Sequence, residues 1–258
     1  MSQKKLELNT VLMKSTFKLL GKKSMGTTFI IGRPSEREQG FAHFVVVTAA
    51  HVLEEMEGSR ATLFLRKKNK AYQKFSYPIE IRHDGKPLWI RHPDVDVAAM
   101  YVNLPSTVDI ELLPTGMLAN DETLKKFEMH PGDELMCLGY PLGAEATEAG
   151  FPVLRSGKIA SYPLIPTKET KTFLYDFRIF RGNSGGPVYF VESGRIFAGT
   201  MHVGLVQFIA GLVSKEHIIK ERIETLYETR EEKHSLGLAT VVHASFIRET
   251  INMLPPKS

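Results

Sequence analysis

Read for apolar runs and their periodicity, the chain resolves mostly into short strands. Residues 26–32 form a β-branched run closed by glycines, and 44–48 form a second apolar run ending in Thr48. Further strand patterns fall at 61–65, 79–81, 95–102, 134–138, 173–177, 187–191, 196–199 and 238–242, many of them separated by Gly or Pro. Many short strands with turn residues between them predict an all-β barrel or sandwich.

Helical patterns are few. Residues 52–56 predict one short turn. After Ser245 as N-cap, a helix is expected through 254, stopped by Pro255 and Pro256. A third helix is expected at 215–233, where Ile219, Ile223 and Leu226 recur at i, i+4 and i+7 among charges of both signs. It reads as a solvated helix laid over the β body, or as a docking helix for a regulatory partner. Residues 105–133 lack strong periodicity, contain Pro114 and Pro131, and read as a connector between two β-rich halves.

Composition narrows the class. The 258 residues are 43% hydrophobic and 24% charged, near globular averages, which excludes a disordered or fibrous chain. The net charge is +4, but it is uneven. Lys4, Lys5, Lys14, Lys18, Lys22 and Lys23 face only Glu7 near the N-terminus, so the remainder is nearly neutral. The basic excess therefore belongs to one end and gives no reason to expect nucleic-acid binding. Glu7, Lys14 and Lys18 interrupt the early apolar residues, so no export signal is expected. No run reaches a membrane span. With a single cysteine, Cys137, within an apolar strand pattern, no internal disulfide can form, and a cytoplasmic location is expected.

Three segments carry candidate chemistry. Gly182-Asn183-Ser184-Gly185-Gly186-Pro187 places a serine among glycines. Acyl transfer needs an exposed hydroxyl on a tight turn and backbone N–H groups aimed at the developing oxyanion. Val47-Thr48-Ala49-Ala50-His51-Val52 ends a strand on a histidine behind small residues. His92-Pro93-Asp94-Val95-Asp96-Val97 puts carboxylates at the head of an apolar strand, where a carboxylate needs a cationic or hydrogen-bonding partner.

Together these segments resemble the trypsin-like, chymotrypsin-fold serine proteases, whose chain order is His, Asp, Ser. Gly139-Tyr140-Pro141-Leu142-Gly143 and the segment 154–159 resemble second-barrel motifs of the bacterial and cytoplasmic branch. The resemblance implies two antiparallel Greek-key β-barrels with a C-terminal helix. The division expected is 1–24 as a basic extension, 25–115 as the first barrel with His51 and Asp96, and 116–132 as a connector. Residues 133–243 would form the second barrel with Ser184, and 244–258 the C-terminal helix and tail. It implies Ser184 as nucleophile, His51 as the base and then acid, and Asp96 as the residue that orients His51. The N–H groups of Gly182 and Ser184 would form the oxyanion hole. Asp94 competes with Asp96, but the apolar residue and Ala that follow the family's aspartate favour Asp96.

Asn183 departs from the pattern. Zymogen-activated relatives carry Asp immediately before the serine, paired with a newly cut N-terminal amine, and an amide cannot make that ion pair. Control is therefore expected from a partner, a ligand or loop ordering. For the substrate pocket, the resemblance points to Arg178 and to the strand with His202, Val203 and Gly204. His202 is similar to the histidine with which glutamyl endopeptidases and picornavirus main proteases read Glu or Gln. A cationic Arg178 would favour an acidic side chain. The alternative is that His202 packs in a wall and Arg178 points to solvent. No metal-ligand spacing stands out and no cofactor is expected. The expected activity is a serine endopeptidase acting on a protein or peptide through an acyl-enzyme. The alternative is a catalytically silent or latent binding module on the same fold.

Overall fold

The structure, a computed structural model, describes residues 7–68, 73–224 and 228–257. It begins with helix α1 (Leu8–Ser15), capped by the Glu7 carboxylate, which accepts from Asn9 N and Thr10 N. Leu8, Val11, Leu12 and Ser15 are buried at helical spacing, which fixes the face that packs on the sheet. Strands β1 (Thr16–Lys22), β2 (Met25–Pro34) and β3 (Ala42–Thr48) follow, then α2 (Ala50–Glu54), β4 (Glu57–Arg66) and β5 (Lys74–Glu80). Two-residue strands β6 (Arg82–His83) and β7 (Lys86–Pro87) pair only with each other. After β8 (Ile90–Arg91), β9 (Ala98–Tyr101) and β10 (Leu113–Pro114), the first sheet runs β5-β4-β1-β2-β3-β9-β8, with β10 on β2.

A connector with the short helix α3 (Asp121–Lys126) leads to the second half. Its strands are β11 (Glu134–Gly139), β12 (Val153–Ile159), β13 (Thr172–Asp176), β14 (Pro187–Phe197), β15 (Thr200–Glu224) and β16 (Thr229–His243). They close into a barrel in the order β11-β12-β13-β16-β15-β14. A four-residue helix, α4 (Thr167–Thr170), precedes β13, and α5 (Ala244–Met253) ends the fold. The fold is thus all-β with a C-terminal helix: one barrel-like sheet and one closed barrel.

Two sequence expectations are corrected. Of the extension expected over 1–24, the described part, residues 7–24, does not stand apart. From Leu8 onward they build α1 and β1, β1 pairs with both β2 and β4, and Phe17 and Leu19 are fully buried. The lysines are compatible with this because strand alternation sends Lys18 and Lys22 away from the apolar face. Where a helix is expected at 215–233, residues 215–224 and 229–233 form a β-ribbon instead, the outer parts of β15 and β16. Ile218, Ile219 and Ile223 are β-branched and favour a strand. Polar side chains meet across the ribbon, with Lys220 Nζ 3.1 Å from the Glu231 carboxylate and His234 Nε2 3.0 Å from Glu221. Leu226, part of the helical pattern, lies outside the described residues.

The two halves are joined through Arg66, whose side chain is fully buried at the end of β4. It donates to the carbonyls of Met13, Lys14 and Thr16 and, in the second half, to Gly150 O at 3.0 Å. The rings of Phe17 and Phe151 lie against its guanidinium at 4.5 and 4.3 Å. Beside it, Glu145 accepts from Lys18 and from Lys74, the latter at 2.5 Å. Buried charge costs free energy unless paired; both terminal nitrogens of Arg66 are satisfied, while its Nε has no hydrogen-bond partner among the described residues. These contacts fasten the loop between β11 and β12 to the first sheet.

Candidate active site

His51 lies on α2, the single short helix that directly follows β3, so the strand delivers its side chain to the interface between the halves. Asp96 sits in the loop before β9 and accepts three hydrogen bonds. His51 N donates at 3.0 Å to Oδ1. His51 Nδ1 lies at 2.7 Å and Ser214 Oγ at 2.6 Å, both on Oδ2. Burial works to raise the Asp96 pKa, but the His51 hydrogen bond and charge, with Ser214, hold it down at about 2. Burial likewise works to lower the His51 pKa, and the Asp96 hydrogen bond and charge outweigh it, with help from Glu55 and Glu54. The net shift is upward from 6.5.

Ser184 lies on the loop between β13 and β14. Its Oγ donates to Ser214 O at 3.0 Å. Among the described residues it makes no hydrogen bond to His51. Ser214 therefore links the serine and the aspartate, through its carbonyl and its hydroxyl respectively. The loop needs its glycines for two reasons. Gly182 and Gly185 have φ of 99° and 85°, a region that favours glycine. An added Cβ would meet Tyr140 O at 2.2 Å from Gly182, and Thr27 O at 2.2 Å from Gly185. Ser184 O accepts from Thr27 N, and Gly185 N and Gly186 O bind Val213. Among the described residues neither Gly182 N nor Ser184 N donates to a protein acceptor, so both remain available to an oxyanion.

Asp94 stands apart from this network. It is exposed, its N–H donates to His92 Nδ1, and its carboxylate is 3.7 Å from Lys171 Nζ. Arg178 is exposed on the segment leading to Ser184, with its guanidinium over the Phe180 ring at 5.4 Å. His202, Val203 and Gly204 are placed elsewhere, which corrects their expected place in the substrate pocket. His202 pairs with Arg195 near the turn between β14 and β15, whereas Leu212 pairs with Pro187 beside the serine loop. Ten residues of strand separate the two registers, roughly 30 Å. There His202 stacks on Phe197 at 3.5 Å between ring centroids, and Val203 is 94% exposed. The strand returns to the serine only at Val213 and Ser214.

A family model described as the trypsin-like peptidase domain matches residues 26–198. The chain belongs to that family. Its similarity to solved structures is one of fold. A scabies mite inactivated protease paralogue, S-D1, aligns at 12% identity over 96% of each chain with a TM-score of 0.51. Rv3671c protease from M. tuberculosis H37Rv, as a serine-to-alanine mutant in an inactive form, aligns at 17% identity. That alignment covers 94% of this chain and 87% of that one, with a TM-score of 0.47. No curated protein sequence matches the chain significantly. Within this trypsin-like peptidase, Cys137 is buried with its thiol pushed up to about 12, as burial dictates, and so is chemically inert at neutral pH. Among the described residues no helix is long and apolar enough to cross a membrane, and no cluster of three or more His, Cys, Asp or Glu could hold a metal.

Proposed function

We propose that this trypsin-like peptidase is a serine endopeptidase that works through an acyl-enzyme. The observation that carries the reading is one connected network: His51 on Asp96, Ser214 on the same Asp96 oxygen, and Ser184 on the Ser214 carbonyl. Asp96 stays ionised at neutral pH and fixes His51 with Nδ1 toward the carboxylate, which leaves Nε2 for the serine proton. With a substrate carbonyl over Ser184, the hydroxyl turns from Ser214 O to His51 Nε2. Catalytic hydrogen bonds commonly tighten only in the complex. The Ser184 oxygen then bonds to the carbonyl carbon while its proton passes to His51. The oxyanion is received by Gly182 N and Ser184 N. His51 returns the proton to the leaving amine as the peptide bond breaks, and water completes the cycle by the reverse path.

Of the residues behind an expected preference for Glu, Gln or Asp, Arg178 alone stays on the segment that leads to the serine. Cleavage of a peptide library, with Ser184→Ala as control, tests activity and preference together. Library cleavage lost in the control supports the reading, and an acidic bias lost in Arg178→Ala supports the role of Arg178. A folded wild type that cleaves nothing sinks it.

A second reading, a latent catalyst, is favoured by the Ser184 hydroxyl resting on Ser214 O. Control would then come from a partner on the exposed ribbon, whose first residue, Lys215, directly follows Ser214. A partner that adds a strand there would reach the catalytic network through a single peptide bond. The buried Cys137 thiol and the lack of another cysteine suit a reducing, cytoplasmic setting.

A further inference from the structure

The peptide group that carries Gly182 N is held from outside the serine loop, whereas the one that carries Ser184 N is held within it, Asn183 O accepting from Gly186 N at 2.9 Å. Arg181 O shares a peptide group with Gly182 N, and it accepts from Leu142 N at 2.7 Å. Gly182 O accepts from Thr27 Oγ1 at 2.6 Å. Ser184 O accepts from Thr27 N at 2.9 Å. The same Thr27 hydroxyl accepts from Tyr140 N at 3.2 Å, two residues before Leu142. Its single proton goes to Gly182 O and one of its two lone pairs to Tyr140 N, so it acts as donor and acceptor at once. Thr27 O in turn accepts from Thr48 Oγ1 at 2.7 Å, three residues before His51.

The side chain next to the serine does not perform this task. Asn183 is buried, and neither its Oδ1 nor its Nδ2 has a hydrogen-bond partner among the described residues. Leu142 adds a second sign. It holds φ at 52°, a left-handed conformation that costs about 1 kcal/mol or more for a side-chain-bearing residue. Its side chain is 72% exposed, so packing does not hold it there. What the conformation provides is a backbone N–H aimed at Arg181 O.

We propose that Thr27, in the first sheet, is the positioning residue for the oxyanion hole in the second half. Its hydroxyl ties Gly182 O and the Tyr140–Leu142 segment to one atom. It thereby sets the direction of Gly182 N, whose glycine has no Cβ to restrict it. Without the hydroxyl, Gly182 O is a buried carbonyl with no donor, and the loop turns to satisfy it elsewhere. The inference rests on Ser184 being the nucleophile.

The test compares Thr27→Ser with Thr27→Ala, which differ only in the hydroxyl, and adds Thr27→Val as the shape-matched variant. The probe is p-nitrophenyl acetate, followed for its acylation burst and steady state. Thr27→Ser is expected within about threefold of wild type. Thr27→Ala and Thr27→Val should lose roughly 10- to 100-fold in kcat, less than or near the loss of one oxyanion donor. KM and the acid-limb midpoint should hold within about twofold and a few tenths of a pH unit. A purely structural role would lower the amount of folded enzyme, not the rate per active site titrated by the burst. Equal kcat in Thr27→Ser and Thr27→Ala overturns this inference alone. A wild type without a Ser184-dependent burst overturns the nucleophile assignment, and this inference with it.

Discussion

Ser214 Oγ donates to Asp96 Oδ2 at 2.6 Å, on the same oxygen that faces His51 Nδ1. The carboxylate is therefore fixed by a residue far along the chain, on the strand that also supplies the resting partner of Ser184. Ser214→Ala removes one donor to a half-buried charge, an interaction of about 1.5–3 kcal/mol. The expected result is a roughly tenfold lower kcat with nearly unchanged KM, read from steady-state hydrolysis of p-nitrophenyl acetate.

The pH profile follows from the upward shift of His51. The histidine must be neutral to accept the serine proton, so activity rises as pH increases through its pKa. The acid-limb midpoint is expected above 6.5, and it should move down in Asp96→Asn, which removes the charge that stabilises the imidazolium. That variant should also lose activity by on the order of 10⁴-fold. A kcat/KM profile of both proteins across pH 5–9 measures this.

His243 predicts a separate acid sensitivity of the fold. It is buried at the start of α5, and burial lowers its pKa to about 4. The unfolded chain therefore binds a proton there that the folded chain refuses between about pH 6.5 and 4, so stability falls as pH falls through that window. At pH 5 the loss from this residue is about 2 kcal/mol relative to pH 8. Urea unfolding of wild type and His243→Gln at the two pH values should give a smaller difference for the variant.

Leu12→Ala tests the place of the N-terminal segment. Leu12 is fully buried in α1. Truncation should cost about 2–5 kcal/mol of stability and lower Tm. A solvated basic tail would show no change.

Much of the site was legible because its chemistry is local in sequence. The glycines around Ser184 announce a tight loop, and His51 directly follows its strand. Ser214 was not legible: it sits at a bulge in β15, 30 residues after Ser184, in no motif. The same geometry misplaced His202. A place for His202 beside the serine requires a short return after Ser184, but β14 and β15 form a long hairpin, so the chain comes back to the serine only twelve residues after His202. The ribbon at the outer end of β15 carries a helical pattern because Ile219 and Ile223 satisfy a helical spacing, while the cross-strand pairing that stabilises it is non-local. The lysines of β1 hid a strand whose alternate residues, Phe17 and Leu19, are in the core.

The proposed chemistry turns on Ser184 being an activated nucleophile. A fluorophosphonate probe, followed by mass spectrometry of the labelled peptide, tests it most directly. Stoichiometric phosphonylation is expected at Ser184, abolished in Ser184→Ala and slowed in His51→Ala. A folded wild type that stays unmodified, or is modified at another residue, would contradict it.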